Sequence, residues 1–130
     1  MQRILVALDD DPQLAVQACS FAVELAARTG EELIVLEVHN PRRRNSHTPA
    51  AVEELIRQAR ARGVSVESYS VRGEYVSVVS QFAHHHKVGR VVVAQPAGLG
   101  VLRGAVQHRV RMLQERLACP LVVVRPRPSA

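Results

Sequence analysis

The sequence predicts an α/β domain: a five-stranded, doubly wound parallel sheet with helices on both faces. Three observations lead there. Five short apolar runs, RILVAL, LIVLEV, VSVESYSV, VVVA and PLVVVR, recur along 130 residues. Stretches of helical length with amphipathic spacing separate them. Helix-start signals open three of those stretches, and Gly30 and Gly63 close two of them. Strands alternating with helices over this length give a parallel sheet, because right-handed crossovers permit little else. The expected strand order is 3-2-1-4-5, flavodoxin-like or closely related. Residues 1–126 form the single domain and 127–130 a tail.

Each element has its own signature. Arg3 to Leu8 is apolar throughout, as a strand buried on both faces must be. Asp11 then offers an N-cap acceptor, and Pro12 suits the first helical position because its missing N–H would be unpaired anyway. The helix runs to Thr29 with Leu14, Ala18, Phe21, Ala22 and Leu25 on one stripe, and Gly30 ends it. Leu33 to Val38 is the second buried strand, followed by the polar loop HNPRRRNSH. Thr48-Pro49 repeats the cap signal for a helix through Arg62, with Val52, Leu55, Ile56 and Ala59 inward and Gly63 beyond.

Val64 to Val71 alternates only in part, which suits a strand near the sheet edge. Gly73-Glu74 opens the third helix, which carries Val76, Val79, Phe82 and Ala83 and ends near Lys87. Gly89 leads into the fourth strand, Val91 to Ala94. A long loop feeds a last helix with Val106, Val110, Leu113 and Leu117 on one face. Pro120 to Arg125 is the fifth strand.

Composition narrows the function classes. The chain is 47% hydrophobic and 22% charged, which is globular rather than disordered, and long enough to bury a core without disulfides or metal. No apolar run approaches the roughly 18 to 20 residues that span a bilayer, and the N-terminus does not read as a signal peptide, so a cytoplasmic protein without a membrane role is expected. Cys19 and Cys119 lack metal-ligand spacing and read as small buried hydrophobes. The net charge is +5, and from Val88 onward seven arginines face one acid, Glu115. Such a surface attracts phosphates. With only Phe21, Tyr69, Tyr75 and Phe82 as aromatics, none interleaved with arginines, it lacks the stacking platforms of a nucleic-acid binder.

In open α/β sheets ligands sit beyond the carboxyl ends of the strands, where the strand order reverses. For order 3-2-1-4-5 that crevice lies between the first and fourth strands. Its walls are Leu8, Asp9 and Asp10, then Val38 to Asn40, then the stretch VVVAQPAGLG.

Over nearly its whole length the chain resembles the universal stress protein family. The segments that carry the resemblance are RILVALDDDPQLAVQACSFAVELAARTGEELIVLEV, the VRGEY turn, VGRVVVA and CPLVVVRP. The resemblance implies the adenine nucleotide alpha hydrolase-like fold and a ligand of the adenine-nucleotide class, since many members bind ATP while others do not. Binding members use an Asp after strand one, a Val ending strand two near the adenine, and a phosphate loop G-x-x-G-(nine residues)-G-[ST]. Asp9 and Val38 match the first two.

The loop departs from the pattern. Counted back from Cys119-Pro120, Ala94 and Ala97 stand at the two glycines and Gln107-His108 at the Gly-Ser pair. Shifted registers offer Gly98, Gly100 or Gly104-Ala105, but none restores the whole. Glycines let backbone N–H groups close on phosphate oxygens; alanine narrows that approach, and Pro96 removes a donor. Two readings stay open. Gly98, Gly100 and Gly104 make a rearranged cradle with Arg103, His108 or Arg109 supplying charge-assisted bonds, or the glycines merely turn a long loop into a helix. The second is the expectation, so tight ATP binding is not favoured.

Other clusters point to less. His84, His85 and His86 splay about 100° apart on a helix and suit a basic last turn better than a metal site. Arg42, Arg43 and Arg44 form a solvated run on the ligand side. Asp9, Asp10 and Asp11 could be read as a magnesium site, but Asp11 is already engaged as a helix cap. No Ser sits in a G-x-S-x-G turn, and no carboxylate pair faces a His, so no enzyme is expected. A response-regulator receiver fails because the third strand ends in Ser70-Val71 and the fifth is followed by Arg125-Pro126.

The expected function is thus a stand-alone stress-response binding module with a degenerate ATP site, homodimeric through an apolar fifth strand at the sheet edge. A start at Met1 and an end close to the fifth strand favour that case. The alternative is a cytosolic accessory domain of a transporter or sensor kinase, binding a nucleotide or cyclic dinucleotide.

Overall fold

A computed structural model describes residues 2–42, 48–95 and 101–125, without the side chains of residues 101–103, 105 and 106. Its elements are β1 (Arg3–Leu8), α1 (Pro12–Thr29), β2 (Glu32–His39), α2 (Ala50–Ala61), β3 (Val66–Arg72), α3 (Tyr75–His85), β4 (Arg90–Ala94), α4 (Val101–Arg116) and β5 (Leu121–Val124). All strand pairs are parallel and the order is β3-β2-β1-β4-β5, as the alternation of elements predicts. Among the described residues no helix is long and apolar enough to cross a membrane.

Strand alternation divides the core in two. Ile4, Val6 and Leu8 join Leu33, Val35 and Val92 beneath α1 and α2, while Leu5 and Ala7 join Ile34, Leu36, Val38, Val91 and Val93 beneath α3 and α4. At the centre, Leu5 is flanked by Ile34 on one side and Val91 on the other. Buried on both faces, these strands have no polar side to alternate with, hence their continuous apolar runs.

The helices start and stop largely as their signals predict. Asp11 accepts from the Gln13 and Leu14 amides at 2.9 and 3.2 Å, and Pro12 follows at the first position. Gly30 closes α1 at φ 75°, a left-handed value that disfavours side-chain-bearing residues.

Two expectations need correction. Phe21 is 42% exposed. The buried stripe of α1 runs through Ala15, Ala18, Ala22 and Ala26, whose small side chains bring the helix close to the sheet and leave a phenyl ring to the flank. Thr48 does not cap α2: the N-cap is Pro49, with no side-chain bond, because the threonine hydroxyl is drawn elsewhere. β3 buries Val66 but leaves Glu67 to Ser70 exposed, in keeping with the sheet-edge position that its partial alternation predicts. In the last turn of α3, His86 stacks on Phe82 with ring centroids 4.0 Å apart, which adds packing to the basic-cap role.

Candidate functional site

Beyond the carboxyl ends of β1, β2 and β3 lies a cavity of about 730 Å³, within the size range of small-molecule sites. Asp9, Asp10, Asp11 and Pro12 line it from the turn into α1; Val38, Asn40, Pro41 and Arg42 follow β2; Gly73, Glu74 and Tyr75 open α3; and Arg109 reaches in from α4. Ala94, at the end of β4, faces a small hollow that shares Tyr75 and Arg109 with the main cavity.

Alternation along β1 sends the two consecutive acids to opposite sides. Asp9 turns toward α4, where its Oδ2 accepts a charge-assisted hydrogen bond from Arg109 Nη2. The Arg109 guanidinium carbon sits 4.4 Å from the Tyr75 ring centroid, a cation–π contact. Tyr75 is fixed in turn by its hydroxyl, which donates to the Ala7 carbonyl at 2.9 Å. Burial drives the Tyr75 phenol well above its ordinary range, with nearby Arg109 pulling it down and Asp9 pushing it up, so it is a neutral platform at any physiological pH.

Asp10 turns toward the end of β2. Its Oδ2 accepts from the Asn40 amide at 3.3 Å, and its Oδ1 lies 3.6 Å from His39 Nδ1. His39 Nε2 is 3.4 Å from Glu37 Oε2. Glu37 is 7% exposed and accepts from the Thr48 hydroxyl, 2.6 and 2.8 Å from its two oxygens. The threonine thus ties the segment before α2 to β2, and His39 lies between the Glu37 and Asp10 carboxylates. Sequence reasoning missed it, since a glutamate in an apolar strand and a threonine eleven residues on carry no local signal of pairing.

The expected site residues separate accordingly. Asp9 and Val38 line the cavity, and so does Arg109. His108 is exposed and outside the lining. Leu8, 2% exposed, packs into the core under α1 rather than forming a wall, because its position in the alternation points it away from Asp9. Ala97, Gly98 and Gly100, like Arg43 and Arg44, lie outside the described residues, and so does the Arg103 side chain. Among the described residues no three His, Cys, Asp or Glu side chains gather as a metal site would require.

Tyr75 was not foreseen as a site residue, although it sits in the VRGEY turn. Its position directly after the Gly73-Glu74 helix start was the available signal. Gly73 is needed there: a Cβ would come within 2.7 Å of Val78 Cγ2.

Comparison with known proteins matches the universal stress protein family model to residues 1–125. A search of curated proteins finds no significant match. Among solved structures, a universal stress protein in complex with cAMP is 23% identical with TM-score 0.72, covering 95% of this chain and 96% of its own. A family protein of Arabidopsis thaliana with AMP bound is 17% identical, TM-score 0.67, covering 98% and 93%. The Archaeoglobus fulgidus protein in complex with dAMP is 18% identical, TM-score 0.61, covering 95% and 97%.

Proposed function

The chain belongs to the universal stress protein family, and from that premise we propose that it is a cytoplasmic regulatory module of the stress response. It takes an adenine nucleotide in the crevice beyond β1 and β2, holds ATP weakly or not at all, and is not a catalyst. The observation that carries the reading is the cavity itself, with Asp9 and Val38 on its wall at the positions that face the nucleotide in binding members. Similarly folded proteins hold cAMP, AMP or dAMP. Val38 offers an apolar surface to a base. The side chains lining the cavity are carboxylates, two arginines, Tyr75, Asn40 and apolar groups, a set that can pair and hydrogen-bond with a polar ligand. Weak ATP binding follows from the altered phosphate loop, in which Ala94 stands where binding members carry the first glycine. The apolar β5 edge supports a homodimer.

Calorimetric titration of ATP, AMP, GMP and a cyclic dinucleotide at low and physiological salt tests this. Saturable binding that prefers AMP to GMP, is weak for ATP and is lost in a Val38→Asp variant that still melts cooperatively is expected. Binding that ignores the base and disappears with salt would report only a basic surface and refute the reading.

A further inference from the structure

We propose that Arg109 holds the phosphate of the ligand and thereby restricts the crevice to adenine ligands carrying a single phosphate group. The inference rests on the adenine reading above and adds a selectivity to it.

Arg109 is built into the site. The neutral Tyr75 ring covers one face of its guanidinium, and Asp9 accepts from Nη2. Both partners are themselves anchored, Tyr75 on the Ala7 carbonyl and Asp9 by accepting from the Asp10 amide at 2.5 Å. A guanidinium carries five N–H donors in a rigid plane. One carboxylate oxygen does not saturate them, and the side chain lines the cavity. A partly desolvated, pre-oriented arginine with spare donors is what bidentate phosphate recognition needs.

The charges around it set how much phosphate fits. Among the described residues, Asp9, Asp10, Asp11 and Glu74 line the cavity against Arg42 and Arg109. The acids are fixed: Asp11 and Glu74 cap α1 and α3 through backbone amides, and Asp10 holds the Asn40 amide. Arg42 lies on the exposed rim. A single phosphate on Arg109 is matched by one guanidinium. A second and third would extend among carboxylates that cannot turn away, in a space where charges are poorly screened.

The test is calorimetric titration of adenosine, AMP, cyclic AMP and ATP, with and without magnesium, against the wild type, Arg109→Gln and Arg109→Lys. AMP or cyclic AMP is expected to bind more tightly than both adenosine and ATP, and comparing the two shows whether a terminal or a bridging phosphate is preferred. Arg109→Gln should weaken the single-phosphate ligands by roughly 10- to 100-fold, the worth of one hydrogen bond to a charged group, and leave adenosine unchanged. Arg109→Lys, a charge without the fork, should fall between. ATP binding as tightly as AMP in either buffer overturns the inference, as does AMP no tighter than adenosine or indifferent to Arg109→Gln; the adenine reading survives each of these. No binding by any of the four ligands overturns both. Should Arg109→Gln fail to fold, the Asp9→Asn/Arg109→Gln pair, which leaves no orphaned carboxylate, and the wild-type ligand series decide the matter.

Discussion

Asp9 and Asp10 are adjacent in the chain, yet one serves the ligand side of the cavity and the other its floor, because each step along an extended backbone reverses the face a side chain takes. Cys19, on the inward face of α1, is completely buried against the sheet. Burial first, and the nearby Glu37 carboxylate second, push its thiol up from 9.0 to about 12. Thiolate is the reactive form, so Cys19 is inert in the folded protein at neutral pH. With Ellman's reagent at pH 8, the less buried Cys119 should react first, and Cys19 only at the rate of unfolding. Equal rates for the two would contradict the packing. The sign of the pH linkage follows: the folded protein keeps the Cys19 proton where the unfolded chain releases it. Its contribution to stability is therefore intact below pH 9 and declines as pH climbs toward about 12.

At the scale of elements, α1 and α2 open with similar dipeptides, Asp11-Pro12 and Thr48-Pro49, and end up built differently. The aspartate caps its helix, whereas the threonine donates to Glu37 in β2. Asp11→Ala should cost about 1 kcal/mol, the usual worth of an N-cap. Thr48→Val acts at a distance, depriving a buried carboxylate of its donor, and should cost about 1–3 kcal/mol. Urea melts compare the two, and a Thr48→Val loss well below that of Asp11→Ala would show that Glu37 finds another partner. The pair also marks what a sequence can convey. A cap signal is legible because donor and acceptor lie within three residues. Thr48, Glu37, His39 and Asp10 come together only when β1, β2 and the approach to α2 meet in space. Phe21 is a related case: its spacing suits the inward stripe, but the alanine contacts that draw α1 onto the sheet leave no room for it.

For the whole molecule, strand order was readable because crossover handedness leaves few ways to arrange five strands joined by helices, and the order pointed to the carboxyl ends of the strands, although among the described residues the cavity is lined from beyond β1, β2 and β3 and from α4 rather than from β4. What the order could not foretell is that Arg109 and Tyr75, from different helices, would share the Asp9 side of that crevice. The order also puts β5 at an edge, where the homodimer proposed above would form. β4 and β5 bond through Val91 N to Pro120 O at 3.0 Å and Gln95 N to Val124 O at 2.9 Å. By alternation Leu121 and Val123 therefore direct their backbone N–H and C=O groups outward. All four β5 side chains are apolar and only half-buried. Beside them, Val16, Phe21, Leu25 and Val124 line an open groove between α1 and β5. An apolar edge strand next to a groove left open among the described residues can serve as a template for a second copy, and a two-fold axis at β5 would pair the edges and bury both grooves together. Light scattering after gel filtration should report a dimer at micromolar concentration. Val123→Pro removes an outward N–H while sparing the bonds to β4, the one strand setting in which proline is tolerated. It should give a monomer that still melts cooperatively. A wild-type monomer, or a Val123→Pro dimer, would mean that this edge is left open to water.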